Sequence, residues 1–220
     1  MNNTLFEKIV WFFAYLVFMI LAITVLSFEE FIPVVDDMVQ SKLHISGVSH
    51  DVTAVLLNFR SLDTLLEVGV VLLALISIYT VSPHFRYKPL SFPSTMTDTF
   101  VSLLFPLIFL SSIYILSSGA YQSGGAFQAS ALIAGGIIII RLVKPHYLSN
   151  IKESILRFVY SLGLLFFILI GFMTMLDGLF LQYPKEYSYV IIILIETVLT
   201  FSLGAVLAAF FITGVHRFKP

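Results

Sequence analysis

Residues 188–213 read SYVIIILIETVLTFSLGAVLAAFFIT, an apolar run whose only carboxylate is Glu196. Roughly 20 such residues, wound as a helix, cross a hydrocarbon core about 30 Å thick. Comparable runs recur at 9–28, 52–79, 99–118, 124–142 and 155–176, with ends uncertain by a few residues, so the chain is expected to be an all-α integral membrane protein of about six transmembrane helices. Lipid offers no hydrogen-bond partner to an open strand edge, and none of these runs has the alternating period of a membrane barrel.

Composition agrees with that reading and excludes several functions. Hydrophobic residues make up 59% of the chain, charged residues 11%, and mean hydropathy is +1.00, against roughly 25% charged residues in an ordinary soluble domain. A net charge of -1 without a long basic run removes the electrostatic footprint of a nucleic-acid binder. With no cysteine there is no disulfide, thiolate zinc site or cysteine-ligated cluster, so any redox chemistry would sit on another chain. His44, His50, His84, His146 and His216 all fall in loops or near span ends and share no metal-ligand spacing. No triad of serine, histidine and carboxylate is placed for catalysis. The residues imply neither an enzyme nor a cofactor.

The first run follows Lys8 and ends at Ser27-Phe28-Glu29-Glu30 without a small-residue cleavage site, which favours a retained anchor over a signal peptide. A polar segment, 29–51, carries five carboxylates against Lys42 alone, and its Pro33 and Gly47 suggest a folded-back loop. The connection at 81–98 holds Pro83, Pro89 and Pro93 with Arg86 and Lys88, a rigid basic link that divides the chain into two units, 1–90 and 91–220. With both termini on the cytoplasmic side of the cell membrane, nine of the lysines and arginines fall at cytoplasmic span ends, while Lys42 and Lys185 fall outside. Retained positive charge marks the cytoplasmic face.

The remaining cation, Arg60, lies within the second span, followed by Asp63 and Glu67. At 100° per residue the three would share one face over a rise of roughly 10 Å. Ionisable groups inside a membrane usually face a bundle interior or an ion path. Arg60 and Asp63 are spaced to pair, leaving Glu67 as the group most free to exchange a proton or cation. If the span begins as late as Leu62, Arg60 and Asp63 are instead interfacial anchors. Glu67 must then still lie within it, because the apolar residues that follow are too few to span alone.

Glu196 is a second candidate, open to two readings: part of an ion path or subunit contact, or a neutral carboxyl bonded to a hydroxyl such as that of Thr200. Asp98 and Asp177 sit at span ends, where solvation is expected. Between the third and fourth spans, Gly119-Ala120-Tyr121-Gln122-Ser123-Gly124-Gly125-Ala126-Phe127-Gln128 opens a stretch of small residues continuing through Ala129, Ser130, Ala134 and Gly135. Close helix packing explains such residues; a cation or water path shaped by Gly124, Gly125 and Gln128 is the alternative. No strand precedes these glycines and no phosphate-loop lysine follows, so no nucleotide is implied. Pro106 is expected to kink the third span.

Two passages resemble one family. His50-Asp51-Val52-Thr53-Ala54-Val55-Leu56-Leu57-Asn58-Phe59-Arg60-Ser61-Leu62-Asp63-Thr64-Leu65-Leu66-Glu67 is similar to the N-V-V-N-V-I-L-V-D-F-R-G-x-D-T-x-G-E segment at the C-terminal end of the large A subunit of Mrp-type Na+/H+ antiporters. Gly124-Gly125-Ala126-Phe127-Gln128-Ala129 resembles the P-G-G-G-F-Q-G-G segment of the B subunit. The likeness runs over residues 1–82 for the A-subunit tail and 95–215 for the B subunit, in the same order. It implies a small subunit that exchanges Na+ and H+ only together with large antiporter-like subunits in the bilayer. Asp63 and Glu67 would line or control the path, with Arg60 holding the local structure. It equally admits the membrane arm of a redox complex such as a membrane-bound hydrogenase, and a packing subunit that carries no ion remains a third reading. Asn58 stands where the family has aspartate, Leu66 where it has glycine, and the histidine and proline before the glycines are missing; these departures bear on which cation passes.

Overall fold

The computed structural model describes residues 3–27, 34–81, 95–144, 151–176 and 178–214. The proline-rich link, Arg86, Lys88, Asp177, His84, His146 and His216 lie outside them. Eight α-helices and no strand occur among the described residues: α1 Asn3–Ser27, α2 Val34–Ser46, α3 Asp51–Ala54, α4 Ser61–Val81, α5 Thr95–Ser118, α6 Ala126–Val143, α7 Glu153–Met175 and α8 Ser188–Gly214. Six of them, α1 and α4 to α8, are long and apolar enough to cross a membrane. This is a multi-pass membrane protein, with spans within a few residues of those expected except at the second.

Residues 1–38 and 39–220 form separate compact units. In the first, α1 is apolar on every side from Ile9 to Leu26, as suits a helix that crosses a membrane. In the second, α8 is the central helix, packed by α6, α7 and α4, with α5 against α6. The core joins Leu65 and Val68 of α4 and Phe167 of α7 to Ile192, Ile195, Leu199 and Leu203 of α8. With no hydrophobic drive between helices in lipid, close packing and interhelical hydrogen bonds take over. A Cβ on Gly163 would stand 2.8 Å from that of Ser202, and one on Gly204 would stand 2.9 Å from Ile133. Ser202 Oγ donates to the Tyr160 carbonyl (3.0 Å) and Ser112 Oγ to that of Ala129 (2.9 Å). Ala129, Ser130, Ala134 and Gly136 are buried as packing residues, whereas Gly135 faces open space. The helix α5 continues through Pro106.

Two expectations are corrected. The acidic segment contains the helix α2 where a folded-back loop was expected, because its apolar residues recur at helical spacing and its turn signal comes only at Gly47. Gly47 has φ +83° and abuts the Ser188 hydroxyl and the Tyr189 backbone, a left-handed close approach that favours glycine. The second span does not begin at Val52. The chain forms the single turn α3, then a π-helical turn Val55–Phe59, then breaks at Arg60 (φ -128°, ψ 34°) before α4 starts.

Candidate functional site

The break at Arg60 follows from the backbone partners available there. Arg60 N–H donates five residues back to Val55 O (2.8 Å), and Asp63 N–H donates to Arg60 O (2.9 Å) in the first turn of α4. The Thr64 hydroxyl reaches back to Leu56 O (2.6 Å), satisfying a carbonyl at a point where helical pairing is interrupted. Asn58 Nδ2 donates to Ser46 O (2.9 Å), tying the π turn to the end of α2. An aspartate there would present only acceptors to that carbonyl, a physical reason for the amide in this chain.

Arg60 therefore lies at the helix junction and not inside a span, and the three-residue stripe reduces to Asp63 and Glu67, one turn apart on α4. Arg60 and Asp63 form the expected ion pair, with side chains 70% and 45% exposed. Glu67, in the second turn, projects from the exposed face of α4 between Leu66 and Val70, opposite the buried Leu65 and Val68.

Glu196 is the one buried charged residue among those described, 2% exposed. It points from α8 at the start of α6, with Oε1 facing the glycine turn that leads into Ala126. Gly125, the residue before α6, has φ +107° and ψ -174° and offers no side-chain cap; a Cβ there would stand 2.8 Å from Glu196 Oε1. A carboxyl from another helix thus stands at the α6 N-terminus, where the helix dipole favours negative charge. Oε2 has no hydrogen-bond partner among the described residues, and no salt bridge reaches the group. The Thr200 hydroxyl bonds to the backbone carbonyl of Glu196 (2.7 Å), not to the carboxyl.

The glycines of this turn sit outside α6 and shape its approach to Glu196. The backbones of Gly119 and Gly125 touch, a Cβ on Gly119 falling 2.6 Å from Gly125 Cα. Thr53 Oγ1 donates to Gly119 O (2.5 Å) and lies 3.2 Å from His50 Nδ1. The backbone N–H groups of Ser49 and His50 both donate to Ala120 O (3.0 and 3.1 Å). Gln128 and Phe127 are in the first turn of α6 on its exposed side. Asp98, in the first turn of α5, and His44 are exposed. No group of three His, Asp or Glu residues able to hold a metal occurs among the described residues.

The tie between Ser49-Thr53 and Gly119-Ala120, 66 to 71 residues apart, has no signal in the sequence. Neither has the approach of Glu196 to the start of α6, although an apolar helix carrying one glutamate and a glycine pair before another helix were both visible.

A family model described as "Domain related to MnhB subunit of Na+/H+ antiporter" matches residues 96–215. Among solved structures, a chain of the Mrp complex from Dietzia sp. DQ12-45-1b has a TM-score of 0.71 and 22% identity, with 100% of this chain and 27% of that chain covered; this chain spans about a quarter of its length. A chain of the membrane-bound sulfane sulfur reductase, an archaeal respiratory membrane complex, has a TM-score of 0.75 and 22% identity, covering 95% of this chain and 98% of that one. These two likenesses are likenesses of fold. No curated protein sequence matches.

Proposed function

We propose, since the chain belongs to the family of domains related to the MnhB subunit of the Na+/H+ antiporter, that it is a small membrane subunit of a multi-subunit antiporter exchanging a monovalent cation for protons. The observation that carries the reading is Glu67 on the exposed face of α4, inside the span. Intramembrane carboxylates almost always face other protein or a water-filled path. A face that carries one outward calls for a neighbouring subunit. Large antiporter-like membrane subunits are the proposed neighbours, and Glu67 with Asp63 lines the shared cation or proton path. Arg60 holds Asp63 and the helix junction in place. Gly124, Gly125, Phe127 and Gln128 shape the turn that leads to Glu196.

The units 1–90 and 91–220 are read as one subunit, the first like the tail of the A subunit and the second like the B subunit. The proposed location is the cell membrane with both termini cytoplasmic.

The likeness to the sulfane sulfur reductase supports a second reading, in which the same helices serve the membrane arm of a redox complex. Gentle extraction by a C-terminal tag, followed by mass spectrometry of the co-purifying subunits, separates the two. Antiporter-like subunits alone are expected; iron-sulfur subunits would replace the first reading with the second, and a chain that purifies alone would overturn both. In vesicles holding the assembled complex, Glu67→Gln is expected to reduce exchange at least tenfold. Unchanged exchange with normal assembly would remove Glu67 from the path.

A further inference from the structure

The Glu196 carboxyl stands apart from the outward carboxylates of α4. It is buried within the bundle, eight residues into α8 and so about 12 Å along the helix from Ser188. One oxygen, Oε1, lies against the Gly125 turn at the start of α6, and the other, Oε2, is buried with no hydrogen-bond partner among the described residues. We infer that Glu196 is a proton-binding site within the membrane-spanning bundle: Oε2 takes and releases one proton while the α6 N-terminus holds Oε1.

Two opposing influences make such a group exchangeable. The N–H groups at the start of a helix favour the ionised carboxylate. Burial away from any cation favours the neutral acid. Binding forms one O–H bond on Oε2 and removes one negative charge, with no other bond broken.

The titratable groups on the elements around α8 leave that balance to Glu196 itself. Asp63 and Glu67 project from the exposed side of α4, Arg157 pairs with Glu153 at the start of α7 (2.5 Å), and Asp98 is exposed at the start of α5. Arg141 and Lys144 belong to the opposite end of α6. Tyr160 of α7 offers its backbone carbonyl to Ser202, and Lys185, Glu186, Tyr187 and Tyr189 are exposed around the start of α8. Tyr183 is buried in the loop before α8. His50 approaches by way of Thr53 and Gly119, whose backbone touches Gly125. A metal cation is a poor fit, because hard cations gather several oxygen ligands and no second buried carboxylate is present among the described residues.

The existence of the site does not depend on the antiporter reading; its use in transport rests on it. The test is infrared difference spectroscopy of the full chain, in its complex or in lipid, titrated in water and in deuterium oxide. A carboxylic C=O band that shifts in deuterium oxide and changes with pH as a single proton is expected. It should be lost completely in Glu196→Gln, which keeps an amide group of nearly the same shape at that place, and unaffected when sodium replaces choline. Isotope-labelled glutamate must shift the same band in the unmutated chain, a result that does not require the variant to fold. A band that survives Glu196→Gln, one that stays constant at every pH the protein tolerates, or one abolished by sodium at fixed pH would each overturn the inference. Cation/proton exchange measured on the same samples tests the antiporter reading separately: a lost band with intact exchange leaves the proton site standing outside the transport path.

Discussion

Replacing Gly125 by alanine tests whether the turn before α6 and the Glu196 carboxyl are one structure. The backbone angles there, φ +107° and ψ -174°, belong to a region used almost only by glycine, so alanine stores about 1–3 kcal/mol of strain. The new Cβ would also stand 2.8 Å from Oε1. Pushed away from the α6 N-terminus, the carboxylate loses the helix-end stabilisation of a partly buried charge, about 1–2 kcal/mol. The two terms together predict a destabilisation of roughly 2–5 kcal/mol. The assay is reversible unfolding in mixed micelles followed by circular dichroism. Glu196→Ala and the double variant complete a thermodynamic cycle. With the carboxyl gone only the backbone strain remains, so Gly125→Ala should destabilise the Glu196→Ala chain by about 1–2 kcal/mol less than it destabilises the unmutated one. Additivity within about 0.5 kcal/mol would refute the coupling.

Two further predictions concern packing and the junction. Gly163→Ala and Gly204→Ala place a methyl group against Ser202 and Ile133 in the contacts of α7 and α6 with α8; each is expected to lower stability by about 1–3 kcal/mol, whereas Gly135→Ala, with nothing within 4 Å, should be neutral or stabilise by up to about 1 kcal/mol. Equal melting behaviour of the three variants would contradict the packing. Thr53→Val removes the hydroxyl shared by His50 and the Gly119 carbonyl; leaving that buried carbonyl unpaired should lower stability by about 1–3 kcal/mol and speed amide hydrogen exchange at residues 119–125, and an unchanged exchange rate there would argue against the tie.

The six spans could be read from the chain alone because lipid imposes a length and a composition that any crossing helix must meet, and 188–213 shows both without reference to its neighbours. The pair between Arg60 and Asp63 was likewise legible, since contacts three residues apart are local. The start of the second span was not. Val52 to Phe59 is apolar enough to continue a helix, and only the bonds from Arg60 to Val55, Thr64 to Leu56 and Asn58 to Ser46 show that the chain winds into a π turn and breaks.

Which carboxylate faces inward was also beyond the sequence. Glu67 follows the Arg60–Asp63 pair and Glu196 stands alone in its run, but neither pattern says which is turned inward: α4 turns Glu67 outward while α8, surrounded by its neighbours, buries Glu196 against the start of α6. Composition and periodicity determine that a helix lies in the membrane. The face it turns to its neighbours depends on contacts between residues far apart in the chain, and those are settled only when the helices pack.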